Sequence, residues 1–175
     1  MIVWIDGPYG VGKSTLALAL HQRRPDSFVF DAEAVGDAVR DNLPPALNRG
    51  AIYEDYPRWP EMCAALLGDI AEGFGGDVYV PMTLVRPGSF EAVARPLREK
   101  GVHVLHILLE ADDDTIRGRI LARGEEADCW CAQHIGLCQA SQRTFQGVIR
   151  INTAGRTVAE LAEQALAACR REESI

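Results

Sequence analysis

With 175 residues, 47% of them hydrophobic and 25% charged, the chain is long enough to bury a full core as one domain, residues 1–175, without metals or disulfides. A net charge of −7 argues against nucleic acid or an anionic membrane surface as the main partner, since both select basic surfaces. The five cysteines (Cys63, Cys129, Cys131, Cys138 and Cys169) are odd in number and irregularly spaced, unlike a secreted disulfide framework. No apolar stretch is long enough to span a membrane and no leader pattern opens the chain, so a reduced, cytoplasmic location is the expectation.

Ile2-Val3-Trp4-Ile5 is a short apolar run that reads as a buried strand. Gly7-Pro8-Tyr9-Gly10-Val11-Gly12-Lys13-Ser14 follows, with Thr15 directly after it, and fits G-x-x-x-x-G-K-[ST]. Thr15 to Gln22 is then a run of helix formers with no Gly or Pro. Strand, glycine loop and helix together aim backbone N–H groups and the positive end of a helix at one anion. Lys13 would reach the β- and γ-phosphates of ATP, and the Ser14 hydroxyl would ligate Mg²⁺. This is a phosphate-binding loop.

Phe28-Val29-Phe30 reads as a second strand, ending at Asp31, which is placed to cap a helix over Ala32 to Arg40. Ligands of open α/β sheets lie beyond the carboxyl ends of the strands, so Asp31 and Glu33 share an edge with the phosphate loop. Asn42 to Pro60 is rich in Pro and aromatic residues, and regular structure is not expected before Pro60. A helix is expected over Glu61 to Glu72, a third strand over Val78-Tyr79-Val80 and a helix over Ser89 to Lys100. Val102 to Leu109 is the fourth strand. Asp112-Asp113-Asp114 leads a helix that carries Arg117, Arg119 and Arg123 and dissolves at Gly124. Trp130 to Gln142 reads as one further helix, Val148 to Ile151 as the fifth strand and Val158 to Arg171 as the last helix, with a frayed tail from Glu172 to Ile175. Alternating strands and helices predict an α/β fold: a three-layer α/β/α sandwich whose five-stranded parallel sheet carries helices on both faces.

Phosphoryl transfer requires a held donor, neutralised charge on the moving group and an oriented acceptor hydroxyl. Arg119 and Arg123, four apart on one helix, suit the second task and root a small lid at about residues 122–130. Asp31 suits the third, as proton acceptor or as a Mg²⁺ ligand, alongside its helix-capping role. No acid follows the third strand, where a second metal-binding aspartate would stand, which shifts weight onto Asp31. Tyr53, Tyr56, Trp59, Met82 and Thr83 are candidates to line an acceptor pocket, or simply to pack a loop onto the sheet. Cys131, His134 and Cys138 fall at i, i+3 and i+7 of the expected helix, a spacing that matches no closed zinc pattern.

Ile2-Val3-Trp4-Ile5-Asp6-Gly7, Phe30-Asp31-Ala32-Glu33, Asp55-Tyr56-Pro57-Arg58-Trp59, Val80-Pro81-Met82-Thr83, Thr115 to Arg123, Trp130 and Cys138 together carry a resemblance. The chain resembles the tunicamycin resistance proteins, a branch of the nucleoside and nucleotide kinase-like group that also includes chloramphenicol phosphotransferases. That resemblance implies a P-loop nucleoside-kinase-like fold and an ATP-binding protein that confers resistance to tunicamycin, a uridine-containing antibiotic. It implies further that Arg119 stacks near adenine and that Arg123 contacts phosphates. Asp6 departs from the Asn or Gly expected there, and a carboxylate so near phosphate should point away. The leading expectation is an ATP- and Mg²⁺-dependent phosphotransferase acting on a hydroxyl of a small nucleoside-like molecule. A drug-sequestering module without chemistry and a housekeeping nucleoside kinase are the alternatives.

Overall fold

Along β1 (Ile2–Asp6), Ile2 and Trp4 face one core while Val3 and Ile5 face another. This is the period-two alternation of a strand buried on both sides. The computed structural model describes residues 1–86 and 88–172. After β1 come α1 (Lys13–Arg23), β2 (Phe28–Val29), α2 (Ala32–Asp41) and two 3₁₀ turns at Pro45–Leu47 and Tyr53–Asp55. Then follow α3 (Arg58–Gly73), β3 (Val78–Pro81), α4 (Ser89–Glu99), β4 (Val104–Glu110) and α5 (Asp113–Ala122). The chain closes with α6 (Trp130–Gln133), α7 (Ile135–Gln142), β5 (Ile149–Asn152) and α8 (Val158–Glu172).

The sheet order is β2-β3-β1-β4-β5, and every neighbouring pair is parallel. Ile2 pairs with Val78 on one side and Val104 on the other, so β1 is the central strand. Helices α2, α3 and α4 cover the face of Ile2 and Trp4, and α1 and α8 cover the face of Val3 and Ile5. The expected three-layer α/β/α architecture is therefore present. A smaller apolar cluster of Ile116, Ile120, Ala132 and Ile135 joins α5 to α6 and α7 beyond the sheet edge. Among the described residues no helix is long and apolar enough to cross a membrane.

Several boundaries differ from the sequence reading. Helix α3 begins at Arg58 rather than after Pro60, with Pro60 in its first turn, where its missing N–H is harmless. The segment from Trp130 to Gln142 is two helices, because His134 leaves helical geometry at φ −99° and ψ 0°. Glu172, expected in a frayed tail, ends α8; residues 173–175 of that tail lie outside the described residues.

Candidate active site

The five parallel strands end along one edge, and candidate site residues stand in the turns there after β1, β2, β3 and β5. After β1 the loop carries three glycines with positive φ: Gly7 at +147°, Gly10 at +84° and Gly12 at +109°. At Gly7 a Cβ would lie 2.7 Å from the carbonyl oxygen of Leu109, so only glycine fits there. Gly12 is different: nothing lies within 4 Å of its missing Cβ, and it forms the N-cap of α1. That open, positive helix end is where a phosphate can approach the backbone.

Lys13 is buried, and its ammonium donates to the carbonyl oxygens of Gly7 and Pro8, each at 3.0 Å. Burial pulls its pKa down, and the nearby Asp6 carboxylate is the strongest opposing influence. Thr83, expected to touch the acceptor, instead donates its hydroxyl to the Gly7 carbonyl at 2.9 Å and braces the loop from β3. Asp6 is fully buried and accepts the Gly7 N–H at 2.6 Å.

On one side of the loop lies a cavity of about 380 Å³, lined among others by Gly12, Thr15, Arg119, Arg123, Arg156 and Leu161. Arg119 does not float free. Its guanidinium donates to the Val11 carbonyl at 2.9 Å and to the hydroxyl and carbonyl of Thr153 at 2.8 and 2.9 Å. Three bonds hold the planar group against the loop, leaving it a flat wall of this cavity. Arg123 caps the end of α5 and pairs with Glu125 at 2.7 Å. Thr153 and Arg156, in the turn after β5, escaped the sequence reading. The one local signal was Gly155 in Asn152-Thr153-Ala154-Gly155-Arg156, which takes a φ of +67°.

On the other side, Ser14, Leu18, Phe30, Asp31, Glu33 and Pro81 surround a second cavity of about 230 Å³. One oxygen of Asp31 caps α2, accepting the N–H groups of Glu33 and Ala34 at 3.0 Å each. Its second oxygen accepts no hydrogen bond among the described residues. Glu33 is exposed, yet partial desolvation at the cleft raises its carboxyl above its usual range; Lys13 opposes this, and Asp31 and Asp37 add to it. No cluster of three or more His, Cys, Asp or Glu able to hold a metal exists among the described residues. The Ser14 hydroxyl and the Asp31 carboxylate are oxygen donors, which suits Mg²⁺ arriving on nucleotide phosphates rather than a metal caged by protein alone.

The remaining expected pocket residues are not brought to the cleft. Trp59 is fully buried, donates its Nε1–H to the Ala32 carbonyl at 2.9 Å and meets Trp4 edge-on at 6.4 Å. Tyr56 is equally buried, and its hydroxyl ties down the 48–50 loop through Asn48, Arg49 and Gly50. Met82 belongs to the same core. These three pack the Pro-rich segment onto the sheet instead of lining an open pocket. Tyr53 is half-buried, with its hydroxyl on Asp37 at 2.5 Å. The segment also holds the loop after β3: Glu54 accepts the N–H groups of Val85 and Arg86, and Asp55 takes the Arg86 guanidinium at 2.9 and 3.0 Å.

The break at His134 separates Cys131 and His134 from Cys138, so the expected three-residue face does not form. Cys138 is buried, and burial pushes its thiol up to about 11. His134 stacks on Trp130 at 4.0 Å, and Trp130 meets Tyr9 of the phosphate loop edge-on at 4.8 Å.

A parallel sheet in the order 2-3-1-4-5, with a glycine loop after the central strand, defines a nucleotide-binding P-loop protein of the kinase-like build. A model of the AAA domain family matches residues 2–134, and the chain belongs to that family. A solved structure of a tunicamycin resistance protein from Deinococcus radiodurans is similar at 28% identity, a TM-score of 0.79 and coverage of 96% of this chain and 94% of that one. The fold is shared with a gluconokinase from Sinorhizobium meliloti (17% identity, TM-score 0.66, 98% and 93% coverage). It is shared also with an APS kinase from Mycobacterium tuberculosis in complex with AMPPNP and APS (18% identity, TM-score 0.63, 97% and 96% coverage). No curated protein matches the chain.

Proposed function

We propose that this protein transfers the γ-phosphoryl group of ATP, with Mg²⁺, to a hydroxyl of a small nucleoside-like molecule, and that tunicamycin is the first acceptor to try. The observation that carries the reading is the pair of cavities meeting at one phosphate loop. Arg119 and Arg156 border the first, while Asp31 and Glu33 face Ser14 across the second. Such a layout keeps donor and acceptor apart until their reacting atoms meet over Lys13.

In this reading the triphosphate lies along Gly7–Ser14, and Lys13 leaves the Gly7 and Pro8 carbonyls to meet the β- and γ-phosphates. Bound Mg²⁺ would be held by Ser14, with Asp31 within reach, and would neutralise phosphate charge. The acceptor hydroxyl gives its proton to the free oxygen of Asp31 as its oxygen bonds to phosphorus, and ADP departs. Arg123, released from Glu125, is the residue placed to offset charge on the moving group, and segment 122–130 is the lid that would carry it. The resemblance to the Deinococcus radiodurans protein supports tunicamycin; the acid-lined second cavity supports a hydroxylated acceptor without phosphate.

Mass spectrometry after incubation with ATP and tunicamycin is the test. The expected product is the drug plus one phosphate. Asp31→Asn should cut turnover by about 10²- to 10⁴-fold, the usual contribution of a general base, while drug binding persists. Drug bound with its mass unchanged and ATP intact would sink transfer to this acceptor.

A further inference from the structure

Phosphate binding does not explain Asp6, a fully buried carboxylate at the end of β1. Its Oδ1 accepts the Gly7 N–H at 2.6 Å, the Leu84 N–H at 3.0 Å and the Gln142 side-chain amide at 3.3 Å. Its Oδ2 pairs with His106 Nε2 at 3.2 Å. These four groups come from four separate places: the phosphate loop, the segment after β3, the end of α7 and the middle of β4. An ionised carboxylate is the side chain that offers two acceptor oxygens and no donor, so it can collect all of them. His106 is held in turn by stacking on Phe90 at 4.0 Å.

We infer that Asp6 is a positioning residue that orients the Gly7 peptide, and with it the Lys13 anchor, and that ties the phosphate loop to segment 130–142. Gly7 has no side chain to fix its orientation and sits at a φ of +147°. Asp6 fixes its N–H from behind. On the same residue the carbonyl takes the Thr83 hydroxyl and the Lys13 ammonium. Gly7 is thus clamped at both ends of its backbone, and Lys13 rests on one jaw of the clamp. Gln142, at the end of α7, therefore braces position 6. A displacement of α7 is felt directly by the loop, and so is the reverse.

This inference rests on the reading of Gly7–Ser14 as a nucleoside-triphosphate site, and the comparison of ATP with AMP separates the two. ATP engages both the loop and the Arg119 cavity, whereas AMP places no β- or γ-phosphate on Lys13. Affinities for both are measured on the full chain for the wild type, Asp6→Ala, Asp6→Asn and Gln142→Leu. Asp6→Ala should weaken ATP about 10- to 100-fold, as loss of an outer supporting group does, and change AMP by less than about twofold. Asp6→Asn keeps an oxygen for Gly7 and Leu84 and turns its amide to His106, so it should restore ATP binding to within about threefold. Gln142→Leu removes only the arm to α7 and should cost about 3- to 10-fold in ATP affinity with AMP unchanged.

Equal weakening of ATP and AMP by Asp6→Ala would reduce Asp6 to a structural residue and overturn the inference. Unchanged ATP binding, or no rescue by Asp6→Asn, would overturn it too. If Asp6→Ala does not fold, Gln142→Leu decides: unaltered ATP affinity there removes the link to α7. A wild type that binds no ATP fails the reading of the loop instead.

Discussion

At Asp31 one carboxylate oxygen closes the start of α2 and the other is left for the cleft, so a single side chain serves stability and chemistry together. Its neighbour Glu33 is compensated only in part, by the Lys13 ammonium and its place in the first turn of α2. Glu33 is exposed, and partial desolvation of its carboxyl at the cleft raises it, so ionising it in the folded protein opposes folding by a small, solvent-screened amount. The sign follows from linkage: the cost is absent below the ordinary value of 4.5 and develops as pH rises from there through the raised, folded value. Glu33→Gln should therefore gain stability relative to the wild type on going from about pH 4 to pH 7, read as urea midpoints at the two pH values. A wild-type-to-variant difference that does not change with pH would refute it. Residues of this kind were legible in the sequence because each has a local chemical reason at a strand end. Trp59 and Tyr56 were not, since an aromatic in a Pro-rich stretch looks the same whether it lines a pocket or fills a core. Their burial behind Ala32 and the 48–50 loop is decided by tertiary packing alone.

Among the elements, the five strands and most helices could be read from period and punctuation, and the phosphate loop from its strand-and-helix context. The segment after α5 could not. Apart from Gly136, helix-forming composition runs from Trp130 to Gln142, yet the structure breaks it at His134 so that Trp130 can reach Tyr9 while Gln142 reaches the back of the loop. Such a break answers contacts more than a hundred residues away in sequence, which no window of periodicity contains. It also supplies a reporter. Of the three tryptophans, Trp4 and Trp59 are 0% exposed and Trp130 is 39% exposed, so collisional quenching of fluorescence reads Trp130 almost alone. If segment 122–130 closes over bound nucleotide, ATP should reduce acrylamide quenching, and Trp130→Phe should abolish the response. Quenching that ATP leaves unchanged in the wild type would argue that the segment does not move.

For the whole molecule, the central position of β1 gathers Lys13, Asp31, Thr83 and Thr153 from four strand ends onto one edge, where the buried Lys13 ammonium rests on the Gly7 and Pro8 carbonyls. Burial depresses the Lys13 pKa, the mark of a charge held at a disadvantage. Nucleotide should relieve that disadvantage and appear as global stabilisation, because it binds the folded chain alone. At one hundred times its dissociation constant a ligand adds about 2.7 kcal/mol, which for a chain of this size raises Tm by roughly 5–10 °C. Scanning calorimetry with Mg²⁺ and ATP should show that rise in the wild type. Lys13→Ala should lose most of it, while its ligand-free Tm stays level or increases, since a buried cation has gone. A ligand-free Tm that falls steeply in Lys13→Ala would instead mean that the ammonium stabilises the loop through the Gly7 and Pro8 carbonyls, and that the fold needs it before any phosphate arrives.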